Sequence, residues 1–190
     1  VGAPCNICNP AFEEKYDFDT RYASIMRLNG NNWEYVARGV RNTVGFDWHP
    51  ETQNLYFGDN GRDWMGDDMP DCELNVVLED NSFFGYPYKH AMDVFDPKYS
   101  KEDFNFDEDF VDPILEIGAH VAPTGLTFYD GDLFPSKFKN TLLMTLHGSW
   151  NRSRKVGYKV IAVHFSENGE LLYKNDFITG WLQKENGTER

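Results

Sequence analysis

One unit of sequence occurs twice in this chain and restricts the fold more than any other feature. Val44-Gly-Phe-x-Trp48, a turn, then Asn54-Leu-Tyr-Phe-x-Asp-Asn-Gly61 is echoed by Thr124-Gly-Leu-x-Phe128, a longer turn, then Asn140-Thr-Leu-Leu-x-Thr-Leu-His-Gly148. Each copy reads as strand, turn, strand and a polar exit containing Gly. Two similar four-stranded units about 80 residues apart argue for repeated sheets around an axis, a β-propeller. The spacing exceeds the roughly 40–50 residues of an ordinary blade, so an insertion such as Ala91–Pro113, or an intervening blade, fills the difference.

The rest of the chain agrees with an all-β fold. Tyr22–Leu28 and Trp33–Ala37 read as strands joined at Asn29-Gly-Asn-Asn32, a strong hairpin signal. Leu74–Leu78, Ala122–Tyr129, Thr141–Leu146, Tyr158–Phe165 and Glu170–Ile178 read as further strands. Val1–Pro10 reads as a strand end and a tight polar loop, and Ala11–Thr20 as a surface connection. Phe83-Phe-Gly-Tyr-Pro-Tyr88 is too rich in Gly and Pro for a helix and reads as a packed aromatic loop. One helical turn is expected near Ser100–Phe104, and no helix of ordinary length anywhere. The chain starts Val1-Gly2 and ends in a polar turn, so it reads as residues 1–190 of a longer propeller domain.

Charge narrows the partners. A net charge of −13, from 31 acidic and 18 basic side chains, argues against nucleic acid. No apolar run approaches the roughly 18 residues of a membrane-spanning helix. Cys5-x-x-Cys8 lacks a second pair for zinc, and reads as structural thiols or a local disulfide. Asp67, Asp68 and Asp71 either supply oxygen ligands for calcium or form a solvated acidic loop. Phe46, Trp48 and Trp150 read as aromatics packed between sheets rather than a substrate platform.

Against this acidic background a local polar cluster is informative. In a hairpin of Val44–Trp48 and Asn54–Gly58, the start of one strand lies beside the end of the next. Arg41, Asn42, Asn60 and Arg62 then gather at one rim, where two guanidinium forks and two amides suit an anionic, planar ligand. The competing reading of Arg41 is a simple ion pair with Asp47 or Asp59.

Seven motifs follow one another in order: Gly39-Val-Arg-Asn42 with Gly45-Phe46, Asp59-Asn-Gly61, Glu73-Leu-Asn75, Phe84-Gly-Tyr-Pro87, His120-Val-Ala-Pro123 and His147-Gly-Ser-Trp-Asn-Arg-Ser153. The series resembles the soluble glucose/sorbosone dehydrogenases, closest to their L-sorbosone dehydrogenase-like branch. The resemblance implies a six-bladed propeller, with this chain covering roughly the middle blades, and two cofactors, pyrroloquinoline quinone (PQQ) and calcium. It implies that Arg41 and Asn42 meet the quinone oxygens and a carboxylate of PQQ. Asn60, His120 and Arg152 become cofactor contacts, Gly61 and Arg62 hold the PQQ-associated calcium through their carbonyls, and Glu73 lies near a structural calcium. Ala3 stands where the family often has Asp. The general-base His is expected upstream of Val1, so the 190-residue piece by itself is expected to be inactive and to self-associate through bare sheet faces.

The activity so implied is oxidation of an aldose or sugar aldehyde such as sorbosone, by hydride transfer to the quinone, with electrons passed to a quinone or cytochrome. The location implied is periplasmic or secreted. Two alternatives stand beside it. A calcium-dependent propeller lactonase would have no use for the Arg41 and Arg152 pair, and a non-catalytic propeller would serve as a binding module.

Overall fold

The computed structural model describes residues 2–3, 21–99, 109–185 and 188–189. The expectations for Cys5 and Cys8, for Ala11–Thr20 and for a helical turn near Ser100–Phe104 lie outside the described residues. Among the described residues the only helical segment is a single 3₁₀ turn, Ser136–Phe138; the rest is strand and loop.

The first hairpin forms where Asn29-Gly30 places it. β1 (Ser24–Asn29) pairs antiparallel with β2 (Asn32–Arg38). β3 (Thr43–Trp48), β4 (Leu55–Asp59) and β5 (Asp71–Val77) then make an antiparallel meander. After β5 the chain leaves this sheet. β6 (Ser82–Phe83) adds parallel to β2, and β7 (Lys89–His90) with β8 (Val94–Phe95) forms a short ribbon. Only then does β9 (Leu115–Ala119) return to pair with β5, completing the order β3-β4-β5-β9. A second four-stranded meander follows directly: β10 (Pro123–Phe128), β11 (Thr141–Leu146), β12 (Lys159–Phe165) and β13 (Leu171–Ile178). A last ribbon joins β14 (Lys184–Glu185) to β15 (Thr188–Glu189).

The repeated sequence unit thus corresponds to the paired β3-β4 and β10-β11, and no blade intervenes between the two sheets. The extra length of the first unit is the excursion over residues 78–114, which runs between its third and fourth strands. Leu115–Ala119 itself was not legible as a strand.

The two sheets and the β1-β2 hairpin stack face to face, and β4 shows why. All five of its residues are buried. Side chains alternate across a strand, so Leu55 and Phe57 pack with Val36, Ala37, Val40, Val77 and Phe84 on one side. Tyr56 packs on the other with Leu74, Phe128, Leu142, Met144, Val163 and Phe165. The Tyr56 hydroxyl donates to the Gly169 carbonyl at 3.1 Å, so the buried phenol is satisfied. β3 and β10 run close together because each carries Gly at the contact: a Cβ on Gly45 would lie 2.8 Å from the Gly125 Cα. Asp47 ties the same seam, accepting from the Phe128 N–H at 2.8 Å and the Thr127 hydroxyl at 3.0 Å. Val44, Phe46 and Trp48 occupy the other face of β3 and are exposed, so Phe46 and Trp48 are not packed between sheets among the described residues.

Candidate functional site

The start of β3 and the end of β4 do lie side by side, and the polar groups that flank them share one cleft. Arg41, Asn42, Asn60 and Gly61 line a cavity of about 260 Å³ together with Val44, Asp63, His120, Thr124, Gly148 and Trp150. That is a little below the roughly 300–1,000 Å³ usual for small-molecule sites.

Asp59 builds this corner from below. It is buried, and its two carboxylate oxygens accept the backbone N–H groups of Arg41 at 2.7 Å and Asn42 at 2.6 Å. The Asn60 amide then donates to the Asn42 carbonyl at 2.8 Å and to the Pro123 carbonyl at 3.2 Å, linking the first sheet to the second. Arg41 Nη1 donates to the carbonyls of Asn60 at 3.0 Å and Gly61 at 2.9 Å. Its Nη2 lies 3.6 Å from Asp63, so the carboxylate nearest the guanidinium is neither Asp47 nor Asp59.

Burial pushes the Asp59 carboxyl up to about 6, against the pull of the backbone N–H groups it accepts. Directly opposite on β5 stands Glu73, also buried, pushed up to about 8 by burial and then by the Asp59 charge. Burial thus favours the protonated form of both carboxyls, and the Asp59 charge adds to this at Glu73. Glu73 accepts from Asn75 at 2.9 Å and from the Ala91 N–H at 2.6 Å, and does not line the cleft. Asn75 Oδ1 is buried beside it without a partner among the described residues.

Arg62 also turns away from the cleft. Its guanidinium is buried on Asp96, which accepts from His90 Nε2 at 2.8 Å as well. Burial alone would raise the Asp96 carboxyl, but the hydrogen bonds from His90 and Arg62 hold it well below the usual carboxylate range. Burial lowers His90, so its imidazole is neutral and Nε2 carries the proton. The cleft therefore receives one guanidinium from the hairpin, not the two expected; only Arg41 faces it.

Two loops close the opposite wall. The Gly148 N–H donates to the Val121 carbonyl at 3.0 Å, and the His147 N–H to the Ala122 carbonyl at 2.9 Å. Gly148 has φ +117, and a Cβ there would fall 2.4 Å from the Tyr158 ring, so only glycine serves. His120 Nε2 donates to the Gly66 carbonyl at 2.8 Å, with Nδ1 3.9 Å from Asp63.

Arg152 lies just outside the cleft. It lines an adjoining open depression of about 410 Å³ with Trp64, Gly66, Asp67, Trp150, Asn151 and Ser153. Trp150 borders both hollows. Arg152 pairs with Asp68 at 2.7 Å and donates to the Asp67 carbonyl, while Asp67 accepts from the Ser153 N–H at 3.0 Å. The acidic loop is thus neutralised by protein donors. Among the described residues, no three His, Cys, Asp or Glu side chains are grouped to hold a metal. Trp150 is 71% exposed and Trp64 66%, with ring centroids 5.6 Å apart. The expectation that Trp150 packs between sheets is therefore corrected. Sequence reasoning named Asp59 only as a side-chain ion-pair partner of Arg41, whereas it holds the backbone N–H groups of Arg41 and Asn42, and it missed Asp63 and Trp64.

The donor chemistry can hold an anionic or quinonoid ligand. The cleft offers one fixed cation, two amides and an imidazole, and the carbonyls of Asn60 and Gly61 converge on a positive group. Calcium takes hard oxygen donors of that kind.

Comparison with known proteins follows the same lines. A family model described as TrAA12-like matches residues 16–180. An uncharacterised protein of Borreliella burgdorferi is 42% identical over 163 residues, which are 84% of this chain and 42% of that protein. The fold is shared with a Trichoderma reesei Carbohydrate-Active Enzymes Family AA12 structure at TM-score 0.69 and 21% identity, over 94% of this chain and 52% of that one. It is shared with the holo Pyranose Dehydrogenase PQQ domain from Coprinopsis cinerea at TM-score 0.67 and 22% identity, over 94% and 55%. A PQQ-bound Aldose Sugar Dehydrogenase from Streptomyces coelicolor aligns at TM-score 0.54 and 16% identity, over 88% and 43%. The chain spans about half the length of the solved structures it matches. A family model that matches residues 16–180 establishes the family: the chain belongs to the TrAA12-like proteins.

Proposed function

We propose that this chain is part of a PQQ- and calcium-dependent oxidoreductase, built as a six-bladed β-propeller, that oxidises an aldose or sugar aldehyde of the sorbosone kind. The observation that carries the reading is the convergence of Arg41, Asn42, Asn60, Gly61 and His120 on one cleft. PQQ, when bound, supplies an electrophilic quinone that takes hydride from the sugar.

The residues of this chain would hold and polarise that group. The Arg41 guanidinium would meet the negative charge that develops on a quinone oxygen. Its position is preset by Asp59 and by the Asn60 and Gly61 carbonyls, so little reorganisation is needed during reaction. Asn42 and Asn60 would give amide contacts to the ring edge, and His120 a contact at the far wall. The carbonyls of Gly61 and Arg62 would hold the calcium beside the cofactor. Arg152 would add a second cation from the neighbouring depression. Glu73 would bind a separate structural calcium, which would draw the proton off its buried carboxyl. The proton of the sugar hydroxyl would go to a histidine of the longer protein, upstream of Val1. The reading also places the protein in the periplasm or outside the cell, with a quinone or cytochrome as electron acceptor.

The test is reconstitution of the full-length protein with PQQ and calcium, followed by dye-linked oxidation of aldoses and sorbosone. Sugar-dependent dye reduction that needs both additions is the expected result. Lactone hydrolysis with calcium alone, or binding without turnover, would replace this reading with one of the alternatives.

A further inference from the structure

The depression beyond Trp150 meets the cofactor as proposed only through Arg152, yet it is built like a ligand site of its own. Trp64 and Trp150 stand edge to face, interplanar angle 84°, and remain more than half exposed. Exposed indole rings are costly in water and are normally covered. The Trp64 backbone N–H donates to Asn151 Oδ1 at 3.0 Å, and Asn151 lies next to Trp150 in the chain, so the two loops are tied together at this point. The loop beneath is held by Arg152 on Asp68 and by Ser153 on Asp67. The result is an apolar wall of two indoles rimmed by a carboxylate, an amide, a guanidinium and a hydroxyl.

That combination matches one class of small molecule. A pyranose ring has an apolar C–H face and a rim of hydroxyls, each both donor and acceptor. The C–H face would lie on an indole, and the hydroxyls would meet Asp67, Asn151 and Arg152. A neutral quinone would use the rings but brings no hydroxyl donors for Asp67 and Asn151. The depression adjoins the cleft through Trp150, which lines both, and at about 410 Å³ it is the larger of the two.

Resting on the sugar-oxidising reading above, we infer that Trp64 and Trp150 form a subsite for a sugar unit next to the one that reacts. The preferred substrate is then the end of a saccharide chain rather than a free monosaccharide. Trp64 acts only on the outer unit, because it does not border the cleft.

Binding separates this inference from the cofactor reading. The full-length protein without PQQ is titrated with glucose, cellotetraose and maltotetraose, following tryptophan fluorescence. At least one tetrasaccharide should bind about tenfold or more tightly than glucose, and Trp64→Ala should remove that advantage, about 1.4 kcal/mol per factor of ten. Trp64→Phe should restore part of it. In the PQQ-loaded enzyme Trp64→Ala should raise KM for the tetrasaccharide and leave glucose oxidation unchanged. Equal binding by wild type and Trp64→Ala, or displacement of the saccharide by a short-chain quinone, overturns the subsite. Saccharide binding lost in Trp64→Ala, in a protein that shows no PQQ-dependent oxidation, supports the subsite and removes the redox chemistry instead.

Discussion

Arg41 is held at three points by groups that never leave the chain: Asp59 takes its backbone N–H, and two carbonyls take its guanidinium. A side chain so fixed acts on charge without first paying to be ordered. Arg41→Ala in the full-length protein should lower kcat by about a hundred- to a thousandfold, the loss typical of one well-placed donor. The two lost hydrogen bonds should cost only about 1–3 kcal/mol of stability. Turnover at saturating PQQ, set beside the midpoint of urea unfolding, checks both figures; unchanged turnover would remove Arg41 from the chemistry. The pair beneath it sets a pH dependence. Asp59 and Glu73 both titrate above their ordinary values, to about 6 and about 8, so the folded state holds protons more tightly than the unfolded chain. The stability they contribute is full below about pH 4 and is lost as pH rises through 6 and then 8. Glu73→Gln should flatten the upper part of that fall. Urea midpoints at pH 5 and pH 8.5 would show it, and parallel losses in the two proteins would disprove it. The sequence placed Arg41, Asn42 and Asn60 together because hairpin geometry alone brings them there, and Gly61 with them through the matched motif. It could not place Arg62, since only the fold sets Asp96 beside it, 34 positions along the chain.

At the scale of elements, the seam between β3 and β10 depends on absent side chains. Gly45 faces Gly125 across it, and a Cβ on Gly45 would also lie 3.0 Å from the Leu126 nitrogen. Those are backbone atoms and cannot swing aside. Gly45→Val should therefore destabilise by about 1–3 kcal/mol or more, as overpacking does. It should also loosen the Asp47 bonds that cross the same seam. A urea midpoint equal to wild type would show that the two sheets can part without loss. The Gly was visible in both copies of the repeated unit, which is why the β3-β4 and β10-β11 strands were legible. β9 was not. Leu115–Ala119 is short and lacks a turn before it, and its partner lies on the far side of residues 78–114.

For the whole molecule, large apolar side chains remain open on two sides. Val44, Phe46 and Trp48 project from β3, and Leu172, Tyr173 and Ile178 from β13. A patch of this kind on a soluble surface is normally covered. The 190-residue chain expressed by itself should therefore self-associate, and should show no sugar oxidation with PQQ and calcium. Light scattering across a dilution series checks the first point, and a dye-linked assay the second. Trp48→Lys should shift the distribution toward monomer; an active monomer would mean that His120 or His147 serves as the base.

The late return of β9 has a kinetic consequence. β10 to β13 follow one another through local turns, so each pairing closes a short loop. β9 must close the whole 78–114 excursion before it gains a single ladder bond with β5. Loop closure grows only slowly with length at equilibrium, about 0.6 kcal/mol per doubling, but it delays the step that needs it. Pulse-labelled hydrogen exchange during refolding should protect the amides of Leu142–Leu146 before those of Glu116–Ala119, and the reverse order would refute this. Until β9 docks, β5 is an open edge whose backbone groups can pair with any passing strand. For this chain, then, the risk of misassembly is set by how fast one excursion closes.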